Sequence, residues 1–341
     1  MEICKNLVSM TPNELKEACR QRGEAPYRAA QIQSWLRKGA QIAEMSDLPE
    51  KFRQNLQKDF TSFALELEKT VWDSKSGAKK YLYLCNDDII IEGVNLAYRY
   101  GDAQCISTQA GCSMHCVFCA SGKNGLKRNL SWQEMLSQLL IAQRDICPKI
   151  ANIVLMGSGE PLDNYDQTKI FLEKLTSADE YGYSRRRVTL STCGVVPGIR
   201  KMIADRLFVN LAISLHAPYH ELRLRLMPVE KSYPLNALLE AARDYWVLGG
   251  RRVTYEYSVV EGLNDTELCA SELEKITNSG GSQINLIDIN EGGSFRANSK
   301  QAVGKFSEKL ARRGVPHTIR RSLGSGINAA CGQLSGYSQK P

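Results

Sequence analysis

Several features are missing from this 341-residue sequence, and each absence excludes something. No apolar run approaches the roughly 20 residues that a membrane-spanning helix needs. The start, MEICKNLVSM, carries Glu2 early and has no long apolar stretch before a small-residue cleavage site. It does not read as a secretory signal, and the expectation is a cytoplasmic protein. There is no low-complexity segment and no self-similarity at a 20–50-residue period, which excludes a solenoid or propeller. The formal charge is only +7, an excess compatible with nucleic acid that does not demand it. Eleven cysteines are present, an odd count that argues against a closed disulfide framework. In a reducing compartment such cysteines stay free unless they bind metal or do chemistry.

What is present begins with helices. Thr11-Pro12-Asn13-Glu14 has the form of a helix start, with a capping residue, proline and a glutamate three positions on. PYRAAQIQSWLRKGA (26–40) places Ala29, Ile32, Trp35 and Leu36 at helical spacing, and DLPEKFRQNLQKDF (47–60) reads as a short basic helix. Residues 67–100 are rich in Tyr, Ile and Val and read as β-hairpins turning at Ser76-Gly77 and Asn86-Asp87. From about residue 104 the texture changes. Continuous apolar runs recur at 105–108, 152–156, 187–191, 209–215, 252–260, 284–289 and 317–321, with amphipathic stretches such as 131–145 and 235–248 between them. Strands of that kind, alternating with helices, are parallel and buried on both faces. Chemistry clusters where they end: a cysteine triplet, then GSGEP (157–161), Thr192-Cys193-Gly194, His216-Ala217-Pro218, Asn290-Glu291-Gly292-Gly293 and GSGINAACGQL (324–334). In a (β/α) barrel that is the face that carries the site.

The triplet is GCSMHCVFCASG (111–122), with Cys112, Cys116 and Cys119 spaced three and then two residues apart. A structural zinc site closes with four ligands at paired spacings, and no second CxxC exists in the chain. His115 adjoins Cys116, so the two are poorly placed to hold one ion together. A [4Fe–4S] cluster ordinarily takes four thiolates; three leave one iron open for a ligand. The other eight cysteines are scattered, and taken singly each reads as a small buried hydrophobe.

CxxxCxxC after a first barrel strand, followed by a glycine-rich loop after the second, resembles the radical S-adenosylmethionine (SAM) superfamily. More narrowly, QCISTQAGC (104–112), CVFCASG (116–122), GLKRNLS (125–131), GEPLDNYD (159–166), RVTLSTCGVVP (187–197), LAISLHAP (211–218), LRLMPVEKSYP (224–234), EYSVVEGLND (256–265), INLIDIN (284–290) and INAACGQL (327–334) are together similar to the RlmN/Cfr family of RNA methyltransferases. GEP (159–161) and STCG (191–194) place the chain nearer the RlmN branch, which acts at C2 of adenine, than the Cfr branch, which acts at C8.

That resemblance implies a partial (β/α)6 radical SAM barrel (α/β class) over 104–322. It would carry an N-terminal helical domain over 1–60, a β-hairpin region over 61–103 and a C-terminal loop over 323–341. It implies a [4Fe–4S] cluster on Cys112, Cys116 and Cys119, and SAM contacts from Gly159, Glu160, Ser191, Ser214, Leu215, His216 and Asn290. Cys331 would be methylated and carry the one-carbon unit, Cys105 would resolve the adduct through a transient disulfide, and Glu92 would be the acid–base group. Carbon 2 of adenine is not nucleophilic, which is why two SAM molecules are used: one methylates Cys331, and one gives the radical that activates the methyl group. The implied partners are 23S ribosomal RNA, with tRNA as a second candidate, and an electron donor of flavodoxin or ferredoxin type. No membrane is involved, and the protein would be a monomer. Basic runs at Lys123, Lys127-Arg128, Arg185 to Arg187, Arg251-Arg252, Arg312-Arg313 and Arg320-Arg321 are candidates for phosphate contact or for a merely solvated face. Two departures adjoin the expected SAM contacts: Ser158 stands where the family usually has methionine, and Asn290 is followed by Glu291 rather than proline. The competing readings are the C8 isomer, a non-catalytic iron–sulfur RNA-binding protein and a zinc module.

Overall fold

A computed structural model of the chain describes residues 5–146, 149–290, 295, 298–299 and 301–339. Cys4, Cys147 and the Glu291-Gly292-Gly293 departure lie outside the described residues.

The N-terminal segment forms the three expected helices, α1 (Pro12–Arg20), α2 (Arg28–Arg37) and α3 (Glu50–Asp59). Thr11 caps α1 by accepting from the Glu14 amide while the Glu14 carboxylate accepts from the Thr11 amide, as the sequence pattern predicts. Leu15, Cys19, Ile32, Leu36, Phe52 and Leu56 are all buried. They join one apolar core with Leu136, Leu139 and Leu140 of α4 (Trp132–Gln143).

The main sheet carries ten strands in strictly sequential spatial order. The first three are antiparallel: β1 (Glu66–Trp72), β2 (Lys79–Leu84) and β3 (Ile89–Leu96). β3 pairs antiparallel with β4 (Ala103–Cys105), aligning Val94 with Cys105. From β4 onward every neighbour is parallel: β5 (Asn152–Leu155), β6 (Val188–Thr192), β7 (Asn210–Ser214), β8 (Val253–Val259), β9 (Ser282–Asp288) and β10 (His317–Arg320). Helices α4, α5 (Tyr165–Thr176), α6 (Val196–Ala204), the pair α7 (His220–Leu226) and α8 (Leu235–Gly249), α9 (Glu267–Asn278) and α10 (Ala302–Arg312) follow the first six parallel strands in turn. The result is six β/α units ending in a seventh parallel strand, the α/β fold that the family resemblance implies. A short terminal strand, Ser338–Gln339, adds to β3 at Ile90 and Ile89, so the C-terminal segment returns to the antiparallel side of the sheet.

One strand differs from expectation. The run 105–108 reads as strand, but β4 ends at Cys105. Beyond it, the Gln138 side chain of α4 takes over the ladder: the Ser107 amide donates to Gln138 Oε1 and Gln138 Nε2 donates to the Ser107 carbonyl, both at 2.9 Å. A buried side-chain amide satisfies the backbone as well as a strand would, and it frees the chain to turn toward the cysteine loop.

Candidate active site

The cysteine loop begins after a tight crossing. A small hairpin pairs residues 109–111 with 126–129. At Gly111 the backbone is left-handed (φ 83°), and a Cβ there would sit 2.0 Å from the Gly125 carbonyl, so glycine is required. The Val117 amide donates to the Leu226 carbonyl at the end of α7, and the Ala120 amide donates to the Gly332 carbonyl at 2.8 Å. That last bond lays the C-terminal loop directly on the triplet.

Cys112, Cys116 and Cys119 line one cavity of about 160 Å³ at the C-terminal ends of the barrel strands. Gly159, Glu160, Ser191, Ser214, His216, Asn290 and Cys331 line the same cavity. All three triplet cysteines are free thiols. Among the described residues, no group of three His, Cys, Asp or Glu side chains is arranged to hold a single metal ion. Thiolates on one tetrahedral zinc would lie about 3.8 Å apart, given a Zn–S bond of about 2.3 Å. Cysteines on separate irons of a cluster are held apart by the body of the cluster. The donor set therefore fits a polynuclear cluster better than zinc, with all the thiols facing one space and no fourth cysteine beside them from the same loop.

Glu160 is 3% exposed, and burial pushes its carboxyl up. Its two oxygens accept from the backbone amides of Leu162 (3.0 Å) and Cys193 (2.7 Å), and the Cys193 and Thr192 side chains also bond to the carboxyl. His216 is left-handed (φ 54°), packs edge-on against Phe118 with centroids 4.4 Å apart, and is driven down to about 3 by burial and then by Arg223. Its Nδ1 accepts from the Ser258 amide at 2.9 Å. The ring is therefore neutral, with its proton on Nε2, and it presents one donor. Asn290 Nδ2 donates to the Cys331 carbonyl and its Oδ1 accepts from Ser322, so this side chain holds the Cys331 loop as well as lining the cavity.

Three of the expected residues do not line that cavity. The Leu215 side chain is fully buried, and its amide donates to the Glu256 carbonyl. Cys105 lines an adjoining cavity of about 80 Å³ together with Cys331 and Cys119. Its thiol is pushed up to about 12, mainly by burial and then by the neighbouring Cys331. Cys331 is exposed. Glu92 lies farther off on β3, one inward-facing step from Val94, which lines the Cys105 cavity. Its carboxylate forms a close ion pair with Lys80 and accepts from the Ser335 amide (2.6 Å) and hydroxyl (2.9 Å).

Ser158 points away from the cavity. It is fully buried, and its hydroxyl donates to the Gly111 carbonyl just ahead of Cys112, tying the GSGE loop to the cysteine loop. The departure from methionine thus lies behind the cavity wall.

Sequence reasoning missed Arg223. It is wholly buried and pairs with Glu230 at 3.0 Å. It also donates to the carbonyls of Cys193, Ser214 and Leu215 at 2.6–2.9 Å, fastening the ends of β6 and β7. The only signal would have been an arginine on the apolar side of HELRLRL. Glu256 and Asp288, two further charged residues lining the cavity, also went unread, and Arg320, read as a candidate for phosphate contact, lines the cavity with them.

The fold and this cavity define a radical SAM protein, and the comparisons agree. Residues 106–271 match the family described as the radical SAM superfamily, and residues 5–61 match the ribosomal RNA large subunit methyltransferase N-terminal domain. The chain is 41% identical to a "Probable dual-specificity RNA methyltransferase RlmN" from Clostridium novyi, over 97% of each chain. It is 43% identical to the protein of the same description from Clostridium perfringens, over 97% of this chain and 96% of that one. A crystal structure of a radical SAM methyltransferase from Sphaerobacter thermophilus superposes with a TM-score of 0.89 at 35% identity, covering 97% of this chain and 99% of that one. The chain belongs to the RlmN/Cfr family of radical SAM RNA methyltransferases, on its RlmN branch.

Proposed function

We propose that the protein methylates C2 of an adenine in 23S ribosomal RNA, and an adenine in tRNA as a second substrate, through an S-methylcysteine at Cys331. The observation that carries this reading is the shared space of Cys331. It lines both the triplet cavity and the small cavity holding Cys105, although Cys105 and Cys331 belong to opposite ends of the barrel sequence. The dual-specificity description of the relatives supports the two RNA classes.

Cys112, Cys116 and Cys119 would hold the cluster, and Gly159, Glu160, Ser191, Ser214 and His216 would hold SAM. Gly159 lets the backbone come close, Glu160 accepts and His216 Nε2 donates. Cys331, exposed on its loop, is the nucleophile that takes a methyl group from SAM. When bound, the cluster supplies the electron that splits a second SAM, giving a radical able to take hydrogen from that methyl group. The Cys331 methylene radical would then bond to the adenine carbon, and the adduct would give up the C2 proton and one electron. Cys105, losing its own proton, would attack the Cys331 sulfur and break its bond to the methylene, which would take up a proton and leave as the methyl group of the product; an external dithiol or its equivalent must reduce the disulfide. Burial keeps Cys105 protonated, so it stays out of reaction until the adduct forms beside it. Asn290 positions Cys331 by its carbonyl. Glu92 holds Ser335, four residues past Cys331, and to act on a proton of the adduct it would have to release that serine.

In this reading residues 1–60, 61–103, 104–322 and 323–341 act as accessory helices, hairpin extension, barrel and methyl-carrier loop. The protein works in the cytoplasm as a monomer, with flavodoxin or ferredoxin as electron donor. The test is anaerobic reconstitution and turnover with methyl-deuterated SAM and an adenine-containing rRNA fragment, followed by nucleoside digestion. 2-Methyladenosine and a methyl mass increment on the Cys331 peptide are expected. 8-Methyladenosine would assign the C8 reaction instead, and RNA binding without any methyladenosine would sink the enzymatic reading.

A further inference from the structure

A cavity of about 1070 Å³, larger than the one of about 160 Å³ that holds the cysteines, lies elsewhere in the protein. It opens at the opposite end of the barrel, where the parallel strands begin. Its rim carries Arg186, Arg187, Arg251 and Arg252. Their side-chain partners are neutral: Arg187 donates to Asn152, Arg251 to Asn210 and Arg252 to Gln283. Among the described residues none of these four arginines is in an ion pair with a carboxylate. Two other basic runs contain ion-paired arginines. Arg128 is fastened to Asp87 and Glu134, and Arg312 and Arg313 face Glu267 and Glu274. Arg186, Arg187, Arg251 and Arg252 thus differ from those two runs in keeping their charge unneutralised.

The mouth leads somewhere. Along β5, β6, β7 and β8 the residues below the rim that line this cavity are Val154, Thr189, Ala212 and Thr254, none larger than valine. A (β/α) barrel is ordinarily plugged by layers of bulky branched side chains. Here the layer that would plug it is hollow. At the inner end, Met156, Glu256 and Arg320 line both this cavity and the one bordered by the cysteines, so the two share a wall. From Arg252 to Glu256 is four residues, roughly 13 Å of strand. At the rim Tyr98 and Tyr100 are stacked, with centroids 5.0 Å apart at 10°, and Tyr100 is 68% exposed. Stacked aromatics beside unneutralised arginines are the surface that an unpaired nucleotide strand fits: rings for bases, guanidiniums for phosphates.

We propose that the substrate RNA docks on this arginine mouth and that the target adenine, out of its stack, enters the barrel from the strand-start end. It would meet Cys331 and SAM from below, while the cysteine loop and the C-terminal segment close the other end. An extruded base suits the depth, because a stacked base cannot reach a reacting atom so far from the surface. This inference rests on the reading of the protein as an RNA methyltransferase.

The test uses the full, anaerobically reconstituted chain and a fluorescent RNA stem-loop with an adenine in the loop, with anisotropy read at several salt concentrations. Arg187→Ala/Arg252→Ala is expected to weaken binding at least about tenfold and to reduce the slope of log K against log salt by about 2, one for each phosphate no longer neutralised. Arg186→Ala/Arg251→Ala provides a second pair should the first fold poorly, and Arg312→Ala should bind as wild type does. Thr254→Phe, which narrows the hollow layer, is expected to lower methyl transfer to RNA at least tenfold. Unchanged affinity and slope in both pairs, or unchanged transfer by Thr254→Phe, overturns the proposal while leaving the methyltransferase reading standing. Wild-type protein that neither binds nor methylates RNA overturns both.

Discussion

The two ends of one barrel solve opposite problems. At the strand ends the side chains converge inward: Glu160, His216 and Arg223 are buried, each held in place by hydrogen bonds, around thiols that face a small cavity. At the strand starts the side chains fan outward, and Arg187, Arg251 and Arg252 lean on neutral amides over a wide opening. The first end is preorganised, as chemistry on a reactive group needs. The second keeps its charge free, as capture of a polyanion needs. The lesson is that residue type does not decide a role. Arg223 and Arg252 have the same guanidinium, but one is consumed by Glu230 and three carbonyls and the other is left to solvent and ligand.

The largest effects should fall on the converging end alone. Any one of Cys112→Ala, Cys116→Ala or Cys119→Ala is expected to abolish iron retention and lower reductive SAM cleavage by more than about a thousandfold, the scale on which removing essential machinery acts. Iron analysis and deoxyadenosine release measure it. RNA affinity should change little, and a parallel loss of RNA binding would break the distinction between the ends. Cys331→Ala is expected to stop methyl transfer to the same degree while leaving iron content intact, read by nucleoside mass spectrometry.

Next comes stability. Arg223→Leu strands Glu230 in the interior, and breaking a buried pair costs about 3–5 kcal/mol. Chemical denaturation should show that loss, whereas Arg252→Leu at the open mouth should stay within about 0.5 kcal/mol. Comparable losses in the two variants would show the mouth to be structural.

A smaller effect than the loss of the buried pair, about 2 kcal/mol between pH 6.5 and 5, is expected from a pH dependence. His216 is held down to about 3 when folded, and an unfolded histidine titrates near 6.5. Below pH 6.5 the unfolded chain takes up a proton that the folded site refuses, so stability is complete above that pH and falls as pH drops toward 3. The slope from this group is about 1.4 kcal/mol per pH unit. His216→Gln should flatten the curve between pH 6.5 and 5, and an unchanged slope would show that His216 is not the group responsible.

Much of the converging end could be read in advance because its parts are short strings. The spacing of Cys112, Cys116 and Cys119 and the glycine of GSGE are local patterns that mark chemistry at strand ends, whereas the cysteine of NAACGQL stands out only through the family resemblance. What was not legible depends on partners distant in sequence. The carboxylate of Glu92 is held by Lys80 and Ser335, Ser158 faces the Gly111 carbonyl rather than the cavity, and Cys105 shares a space with Cys331 only because β4 and the C-terminal loop meet. The same limit applied to charge: Arg128 and Arg187 look alike in the sequence, and only the fold sets one against Asp87 and Glu134 and the other against Asn152.

By itself, then, the sequence determined the element order, the parallel strand character and the face on which chemistry collects. Those follow from apolar periodicity and from the fact that parallel strands joined by helices all end on one side. Tertiary structure alone decided which buried charges fasten that face, which arginines remain unneutralised and that the barrel is hollow. The physical reason is that burial and ion pairing are properties of neighbours in space. A threonine at 189 and an alanine at 212 line a cavity only because strands distant in sequence are brought around the same space.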